Sequence, residues 1–210
     1  MKSRIRKSEY REIYQLLDKV SPLSRDCGEL CGAICCGTGE YKYEDPDPES
    51  AGETPEMGIY LLPGEEKLHS KKDDWLDWSE ERAEDYAFPD SWKGKVYFVR
   101  CKNPPHCPRE KRPMQCRTFP LAPHFTEDGR LVMILNDLDL PYHCPLIEER
   151  IPLNADFMEA TFRCWERLIK DPLIRDLIQM DSSERLENGC LFETVYDPAL
   201  MACAVQPGRG

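Results

Sequence analysis

The chain has 210 residues, a formal net charge of -11 and 40% hydrophobic residues, which suits one soluble domain with a core of its own. The negative charge argues against binding of nucleic acid through its phosphates, and no apolar run reaches the length of a membrane span. The 11 cysteines are therefore the main chemical feature.

The first seven residues carry four basic side chains, but no apolar segment follows them. We expect no signal peptide and a cytoplasmic location. In the cytosol, cysteine clusters bind metals more often than they form disulfides.

Apolar residues recur at helical spacing through residues 9–20, and Pro22 follows them. This pattern predicts an amphipathic helix that leads into residues 26–39, the first cysteine segment. Its four cysteines are Cys27, Cys31, Cys35 and Cys36. Its four glycines oppose a helix, so a loop is predicted. Cys-Gly steps let backbone N–H groups approach a bound sulfur, so we interpret this segment as a metal-binding loop.

The first cysteine segment also suits three alternatives to a metal site, each less well. A disulfide framework is less suitable because a bond between the neighbours Cys35 and Cys36 would be strained. Buried thiols that pack as small apolar groups do not suit a stretch so rich in glycine and charge. A radical S-adenosylmethionine motif has its third cysteine where this chain has Ile34.

The middle of the chain predicts short elements. Residues 40–56 are acidic and rich in proline, which is typical of an irregular loop. Residues 57–62 predict a strand, and the sequence Pro63-Gly64-Glu65-Glu66 predicts a turn that opens a short helix. Residues 75–92 carry many aromatic side chains and indicate a flap over the core. Residues 95–100 predict a strand that ends at Cys101.

Residues 107–120 form the second cysteine segment, with Cys107 and Cys116 among three prolines. The prolines predict an irregular loop. Arg109, Arg112 and Arg117 lie near Cys116 and suit a four-thiolate site, which remains about dianionic when filled, although a solvated charged loop is the alternative. A hairpin is predicted at residues 125–135, and Cys144 follows it.

The C-terminal part predicts helices. Residues 154–170 keep helical spacing with Asn154 as a candidate N-cap, and Asp171-Pro172 begins a second helix that runs to about residue 180. We interpret Cys164 as a core thiol. Cys190 and Cys203 have no nearby cysteine in the sequence and are taken as structural or incidental.

With both segments in view, the chain resembles the YkgJ-type cysteine-cluster family of zinc- or iron-chelating proteins, which also supplies a domain to flagellin lysine methylases. The resemblance depends on the first cysteine segment and on Arg112-Pro113-Met114-Gln115-Cys116-Arg117-Thr118-Phe119-Pro120, which is similar to that family's Arg-Pro-x-x-Cys-Arg-x-aromatic-Pro signature. Cys107 and Cys144-Pro145 also agree. The resemblance covers roughly residues 24–150, and the first two cysteines are one residue further apart than is common in the family.

The resemblance implies a set of metal ligands and two cofactor-binding arginines, Arg112 and Arg117. The implied ligands are Cys27, Cys31, Cys35, Cys36, Cys107, Cys116 and Cys144, with Cys101 as an eighth candidate. Four thiolates hold one 4Fe–4S cluster, whereas eight would hold two zinc ions, and the spacing does not choose between them. His106 and His143 each precede a cysteine and are possible substitutes for a thiolate. The number of thiolates and the Cys-Gly steps favour the cluster over zinc.

We therefore predict an α+β fold: a single compact domain over residues 1–210 with short strands and helices around a cysteine-rich metal site. The cysteine core is expected at about 24–150 and a helical extension at about 151–185. The predicted function is a metal-binding protein that holds an iron–sulfur cluster or zinc. A structural zinc module for protein interaction and a methyltransferase-like enzyme are the alternatives. No catalytic residue is visible, no nucleic acid or membrane partner is expected, and no protein partner is indicated.

Overall fold

The fold is α+β, as predicted, in a computed structural model that describes residues 1–37, 57–102, 106–136, 140 and 142–200. The helices are α1 (Lys7–Gln15), α2 (Gly28–Cys31), α3 (Met114–Thr118), α4 (Pro145–Glu148), α5 (Ala155–Leu168) and α6 (Pro172–Glu187). The strands are β1 (Ile59–Tyr60), β2 (Leu76–Arg82), β3 (Lys95–Cys101), β4 (Leu121–Phe125), β5 (Leu131–Leu135) and β6 (Thr194–Tyr196). The predicted loop at 40–56 and Cys203 lie outside the described residues.

The first sheet has the order β1-β3-β2, with both pairs antiparallel. The strand predicted at 95–100 is β3, and it extends to Cys101, which pairs with Leu76 of β2. The flap predicted at 75–92 instead contributes β2, which pairs with β3 over seven residues. The acidic residues do not prevent a strand here, because Asp77 and Glu80 are exposed while the backbone of β2 pairs with β3 along its whole length. Trp75 and Trp92 are buried, as core-covering aromatic residues would be.

The second sheet has the order β4-β5-β6, also antiparallel. The predicted hairpin is formed by β4 and β5, although β4 begins at Leu121 and precedes the predicted start at residue 125. Its turn contains Gly129 in the left-handed region, at φ 79°. The third strand, β6, pairs with β5 from the C-terminal part of the chain, where the sequence predicts no strand.

The main core lies between α1, α5, α6 and the second sheet. Its buried apolar side chains come from every one of these elements: Tyr10, Ile13, Met133, Phe157, Trp165, Leu168, Ile174 and Ile178 are among them. Burial of each such side chain contributes roughly 1.5–3 kcal/mol before conformational entropy is counted. The predicted core role of Cys164 is confirmed, because its side chain is 0% exposed.

Helix bounds follow from local hydrogen bonds. α1 begins two residues before the predicted 9–20 and ends five residues before its predicted end, and it buries Tyr10, Ile13 and Tyr14. α6 begins after Asp171, whose carboxylate accepts from the backbone N–H of Leu173 at 2.9 Å and from the Ser3 hydroxyl at 2.7 Å. This N-cap fixes the start of the helix where the sequence predicts it. The helix continues to Glu187, beyond the predicted end near residue 180.

The two sheets are connected through α6. The indole N–H of Trp92 donates to the carbonyl oxygen of Leu173 at 2.9 Å, and Trp92 is 2% exposed.

Among the described residues, no helix is both long and apolar enough to span a membrane.

Candidate metal centre

The first cysteine segment is a tight double turn. Cys27 precedes α2, Cys31 ends it, and a 3₁₀ helix, Ile34–Cys36, follows. Gly32 and Ala33 between them adopt left-handed backbone angles, with φ of 64° and 57°. The described part of the segment, residues 26–37, is therefore the predicted loop with two short helical turns in it.

The second cysteine segment is more regular than predicted. A 3₁₀ helix, Arg109–Lys111, is followed by α3, which carries Cys116. The prediction of an irregular loop is wrong here because Pro113 stands just before α3, where a missing N–H and a fixed φ do not oppose a helix.

A buried carboxylate holds the start of α3. Glu65 is 0% exposed and accepts from the backbone N–H of Met114 at 2.6 Å and of Leu62 at 2.8 Å. The hydroxyl of Tyr14 in α1 also donates to Glu65. Burial raises the pKa of Glu65. This residue thus connects α1, the residues that follow β1, and the helix that carries Cys116. No signal in the sequence distinguishes it from the neighbouring Glu66, which is only partly buried.

Cys107 lies between a thiol and a guanidinium. The thiol of Cys101, at the end of β3, hydrogen-bonds to Cys107, and the Nε of Arg112 lies 3.0 Å from its Sγ. Hydrogen bonding by Cys101 and the charge of Arg112 lower the pKa of Cys107 to about 6. The pKa of Cys101 is raised, chiefly because its thiol donates to Cys107. Cys107 is therefore the thiolate of the pair at neutral pH.

The two cysteine segments meet in space. Cys36 of the first segment interacts electrostatically with Cys107 of the second. Cys116 interacts with both Cys36 and Cys107, and desolvation together with these neighbours raises its pKa to about 12. Cys116 is nevertheless exposed to solvent. The arrangement brings chain positions 36 and 107 into one electrostatic group.

Cys27, Cys31 and Cys144 form a second neighbourhood. Cys27 interacts with both of the others, and Cys144 interacts with Cys31. Desolvation raises the pKa of Cys27 and of Cys144. Cys144 is buried at the start of α4, where backbone N–H groups of that helix face its sulfur. Cys144, which follows the hairpin, thus lies beside cysteines of the first segment.

An open cavity of about 400 Å³ lies against the first cysteine segment. Its wall is formed mainly by the first cysteine segment, and the cysteines that line it are Cys27, Cys31, Cys35, Cys36 and Cys144. Arg112 and His106 also line it. His143 does not: its Nδ1 lies 2.8 Å from a carboxylate oxygen of Glu148, and the side chain is exposed.

The other two arginines of the second segment have different partners. The guanidinium of Arg117 pairs with Asp18 at 2.8 Å and lies over the ring of Tyr14, with its side chain only 3% exposed. Arg109 donates to the carbonyl oxygen of Val20 at 2.7 Å. The structure thus places Arg112 beside the thiols, whereas Arg117 and Arg109 join the second segment to the end of α1 and the residues after it.

The residues before the first cysteine segment are held from two sides. Besides the Arg109 contact at Val20, the backbone N–H of Asn154 donates to the carbonyl oxygen of Pro22 at 2.9 Å. The side-chain amide of Asn154 donates to the carbonyl oxygen of Ser21 at 3.0 Å. The start of α5 is therefore hydrogen-bonded to Ser21 and Pro22, a few residues before the first cysteine segment.

The cysteine side chains around Arg112 are of the chemical type that binds zinc and iron–sulfur clusters. Arg112 interacts with thiols of both cysteine segments, and Cys107 among them is a thiolate at neutral pH. The four thiols that interact with Arg112 are Cys27, Cys36, Cys107 and Cys116. Among the described residues, no group of three or more Cys, His, Asp or Glu side chains converges closely enough to hold a single ion as it stands. Binding of one ion would require these thiols to rotate toward each other.

No family model, curated protein or solved structure matches this chain. The function must be inferred from the residues of the site.

Proposed function

We propose that this protein binds metal through cysteine thiolates from two distant cysteine segments, as a 4Fe–4S cluster or as zinc. The observation that carries the proposal is the contact of the Arg112 guanidinium with Cys107, inside a group of thiols drawn from both segments. The donors are Cys27, Cys31, Cys35, Cys36, Cys101, Cys107, Cys116 and Cys144. This is also the arrangement that membership of the YkgJ-type family would require.

The electrostatics of the thiols support a bound cation. Thiolates that lie close together repel each other, and partial burial adds a desolvation cost, so each raises the pKa of its neighbours. That effect is present at Cys27, Cys116 and Cys144. Arg112 supplies one positive charge, which cannot balance several thiolates. A metal ion or cluster would supply the remaining charge and would hold the ligands deprotonated.

The shape of the site favours a cluster over a lone ion at the cavity. Four thiolates on one zinc ion stand roughly 3.8 Å apart, as a Zn–S distance of about 2.3 Å requires. The cavity cysteines instead surround about 400 Å³ and do not converge on one point. A 4Fe–4S core separates its four ligands more widely, because each thiolate binds a different iron. When bound, such a cluster supplies one-electron chemistry.

The experiment is metal analysis of the full chain purified without oxygen. Iron, acid-labile sulfide and zinc are measured per chain, and the visible absorption spectrum is recorded. We expect at least the iron and the sulfide of one 4Fe–4S cluster in each chain. Stoichiometric zinc without sulfide would overturn the cluster and leave zinc as the bound metal. A chain that takes up neither metal, even after reconstitution with iron, sulfide and zinc, would overturn the proposed function.

A further inference from the structure

We infer that the buried carboxyl group of Glu65 exchanges its proton with solvent through the Tyr14 hydroxyl and the imidazole of His69. Tyr14 lies in α1. Glu65 begins the 3₁₀ helix Glu65–Leu68, and His69 follows its last residue. None of the three side chains is a ligand of the proposed metal site, so the transfer of protons along this path does not depend on a bound metal.

Glu65 has no contact with solvent of its own, since its exposed fraction is 0%. One carboxylate oxygen accepts from the backbone N–H of Leu62 at 2.8 Å, and the other accepts from that of Met114 at 2.6 Å. A backbone N–H donates a hydrogen bond but does not take up a proton, whereas a hydroxyl both donates and accepts. Among the described partners of Glu65, the Tyr14 hydroxyl is therefore the only one that can pass a proton on.

His69 is the outer end of the path. Its Nε2 lies 3.4 Å from the Tyr14 oxygen, and its ring is only half-buried, whereas Tyr14 is buried. Its Nδ1 has no hydrogen-bond partner within the part of the chain that the structure describes. The partner of one ring nitrogen normally decides which nitrogen carries the proton. Because no described group holds Nδ1, the bond to Tyr14 sets the tautomer, and Nε2 can donate or accept.

Each charge state of Glu65 suits one arrangement of the path. When Glu65 is ionised, Tyr14 donates to it and accepts from the Nε2–H of His69. When Glu65 is protonated, its O–H donates to Tyr14, which in turn donates to the bare Nε2. In proton uptake, the Nε2–H bond of an imidazolium breaks as Tyr14 gains that proton, and Tyr14 gives its own proton to the carboxylate. The hydroxyl is regenerated, and no electron is transferred.

Burial favours the proton at Glu65 over His69. It raises the pKa of Glu65 and lowers the pKa of His69 to about 4. The imidazolium is therefore a transient carrier, and the proton is stored on the carboxyl group. The charged and titratable groups that face the path are Tyr10, Glu66 and Cys116 at Glu65, Arg117 at Tyr14, and Asp73 and Lys111 at His69.

The rate of proton exchange at Glu65 tests the path. In the full chain, the infrared C=O band of the protonated carboxyl group is followed after a jump to lower pH, and its loss in Glu65→Gln identifies it. Tyr14→Phe and His69→Phe should each slow the rise of this band by about tenfold or more, because exchange then needs local opening of the core. Tyr10→Phe is the matched control. It removes another buried hydroxyl, which donates to the carbonyl oxygen of Pro63 at 2.8 Å, and should leave the rate unchanged.

Nitrogen NMR of the unmodified chain provides a readout that does not depend on the folding of any variant. The chemical shifts of the ring nitrogens distinguish the two tautomers of His69. As the pH falls, His69 should change from Nε2–H to a bare Nε2 over the range in which the Glu65 band appears. A tautomer that stays constant through this range, or equal exchange rates in Tyr14→Phe and Tyr10→Phe, would overturn the path.

Discussion

The Nε of Arg112 lies 3.0 Å from the Sγ of Cys107, five residues earlier in the chain. The sequence motif relates this arginine to Cys116, but the direct contact is with the other cysteine of the segment. A charge-assisted hydrogen bond of this kind stabilises the thiolate over the thiol. The guanidinium of Arg112 therefore lowers the pKa of Cys107. Its position is fixed by the 3₁₀ helix before it and by Pro113 after it.

The first prediction concerns Arg112→Met. Removal of the guanidinium raises the pKa of Cys107 from its value of about 6, so protons displace metal at a higher pH. We expect the midpoint of metal release on acidification to move up by about one pH unit, since a charged hydrogen bond contributes about 1.5–3 kcal/mol and one unit corresponds to about 1.4 kcal/mol. Arg112→Lys should lie between the two. Metal release is followed spectroscopically.

Lys111→Met is the matched control. It removes the same charge one residue away, from a side chain that is 52% exposed and whose Nζ lies 3.9 Å from Asp73. Its release profile should match that of the unmodified chain. If the Arg112→Met profile also matched it, the arginine would be an ordinary surface group.

The second prediction concerns Glu65. Glu65→Ala removes a buried acceptor of two backbone N–H groups and a Tyr14 hydroxyl, all of which would lose their partner. We expect a loss of about 3 kcal/mol or more in the free energy of unfolding, measured with denaturant. The neighbouring Glu66→Ala should change it by less than about 0.5 kcal/mol. Equal stabilities of these two variants would contradict the role given to Glu65.

The third prediction is a pH dependence from the same residue. Burial raises the pKa of Glu65 in the folded state above its ordinary value of 4.5, so the folded chain holds this proton more tightly than the unfolded chain. Stability from this group is complete below pH 4.5 and is lost as the pH rises through the folded-state pKa. Relative to Glu65→Gln, the unmodified chain should therefore lose stability as the pH rises. Parallel curves for the two proteins would contradict this.

The fourth prediction is that metal removal loosens the fold. The cysteine segments are about 80 residues apart in sequence, and their thiolates repel each other without a cation. Because no preformed site exists in the unfolded chain, the binding free energy adds to folding stability. Chelation should lower the melting temperature by several degrees. A melt unchanged after complete removal would show that the metal does not hold the segments together.

The fifth prediction separates the remaining cysteines by reactivity. Cys164 is fully buried, donates to the carbonyl oxygen of Ile13 at 3.4 Å and has its pKa raised to about 12 by burial. Cys190 is exposed. In the native protein a thiol reagent should modify Cys190 within minutes and leave Cys164 unmodified until denaturant is added. Mass spectrometry of the digested chain identifies the labelled residue, and early labelling of Cys164 would contradict the packing.

The sequence predicts those elements whose signal is local. The periodicity of α5, the Asp171 cap of α6 and the Gly129 turn each depend on neighbouring residues, and each is present. The sequence does not reveal β2, because this strand is stabilised by pairing with β3. Its acidic residues interrupt the apolar pattern that would predict a strand. It does not reveal β6 either, because that strand adds to a hairpin about 60 residues before it.

The site shows the same limit. Motif spacing is enough to nominate the cysteines and Arg112, because ligands and their cations are grouped along the chain. It cannot show that Arg117 pairs with Asp18, 99 residues away, or that Glu65 holds α3.

The two hydrogen bonds that Asn154 donates to the Ser21 and Pro22 carbonyls make α5 a reporter of the first cysteine segment. A segment that shifts when metal leaves must move the carbonyls at its base or break these bonds. Exchange of the Asn154 amide hydrogen with solvent would then rise in the metal-free protein, at a position outside both cysteine segments. The start of α5 would thus report whether the proposed site holds metal.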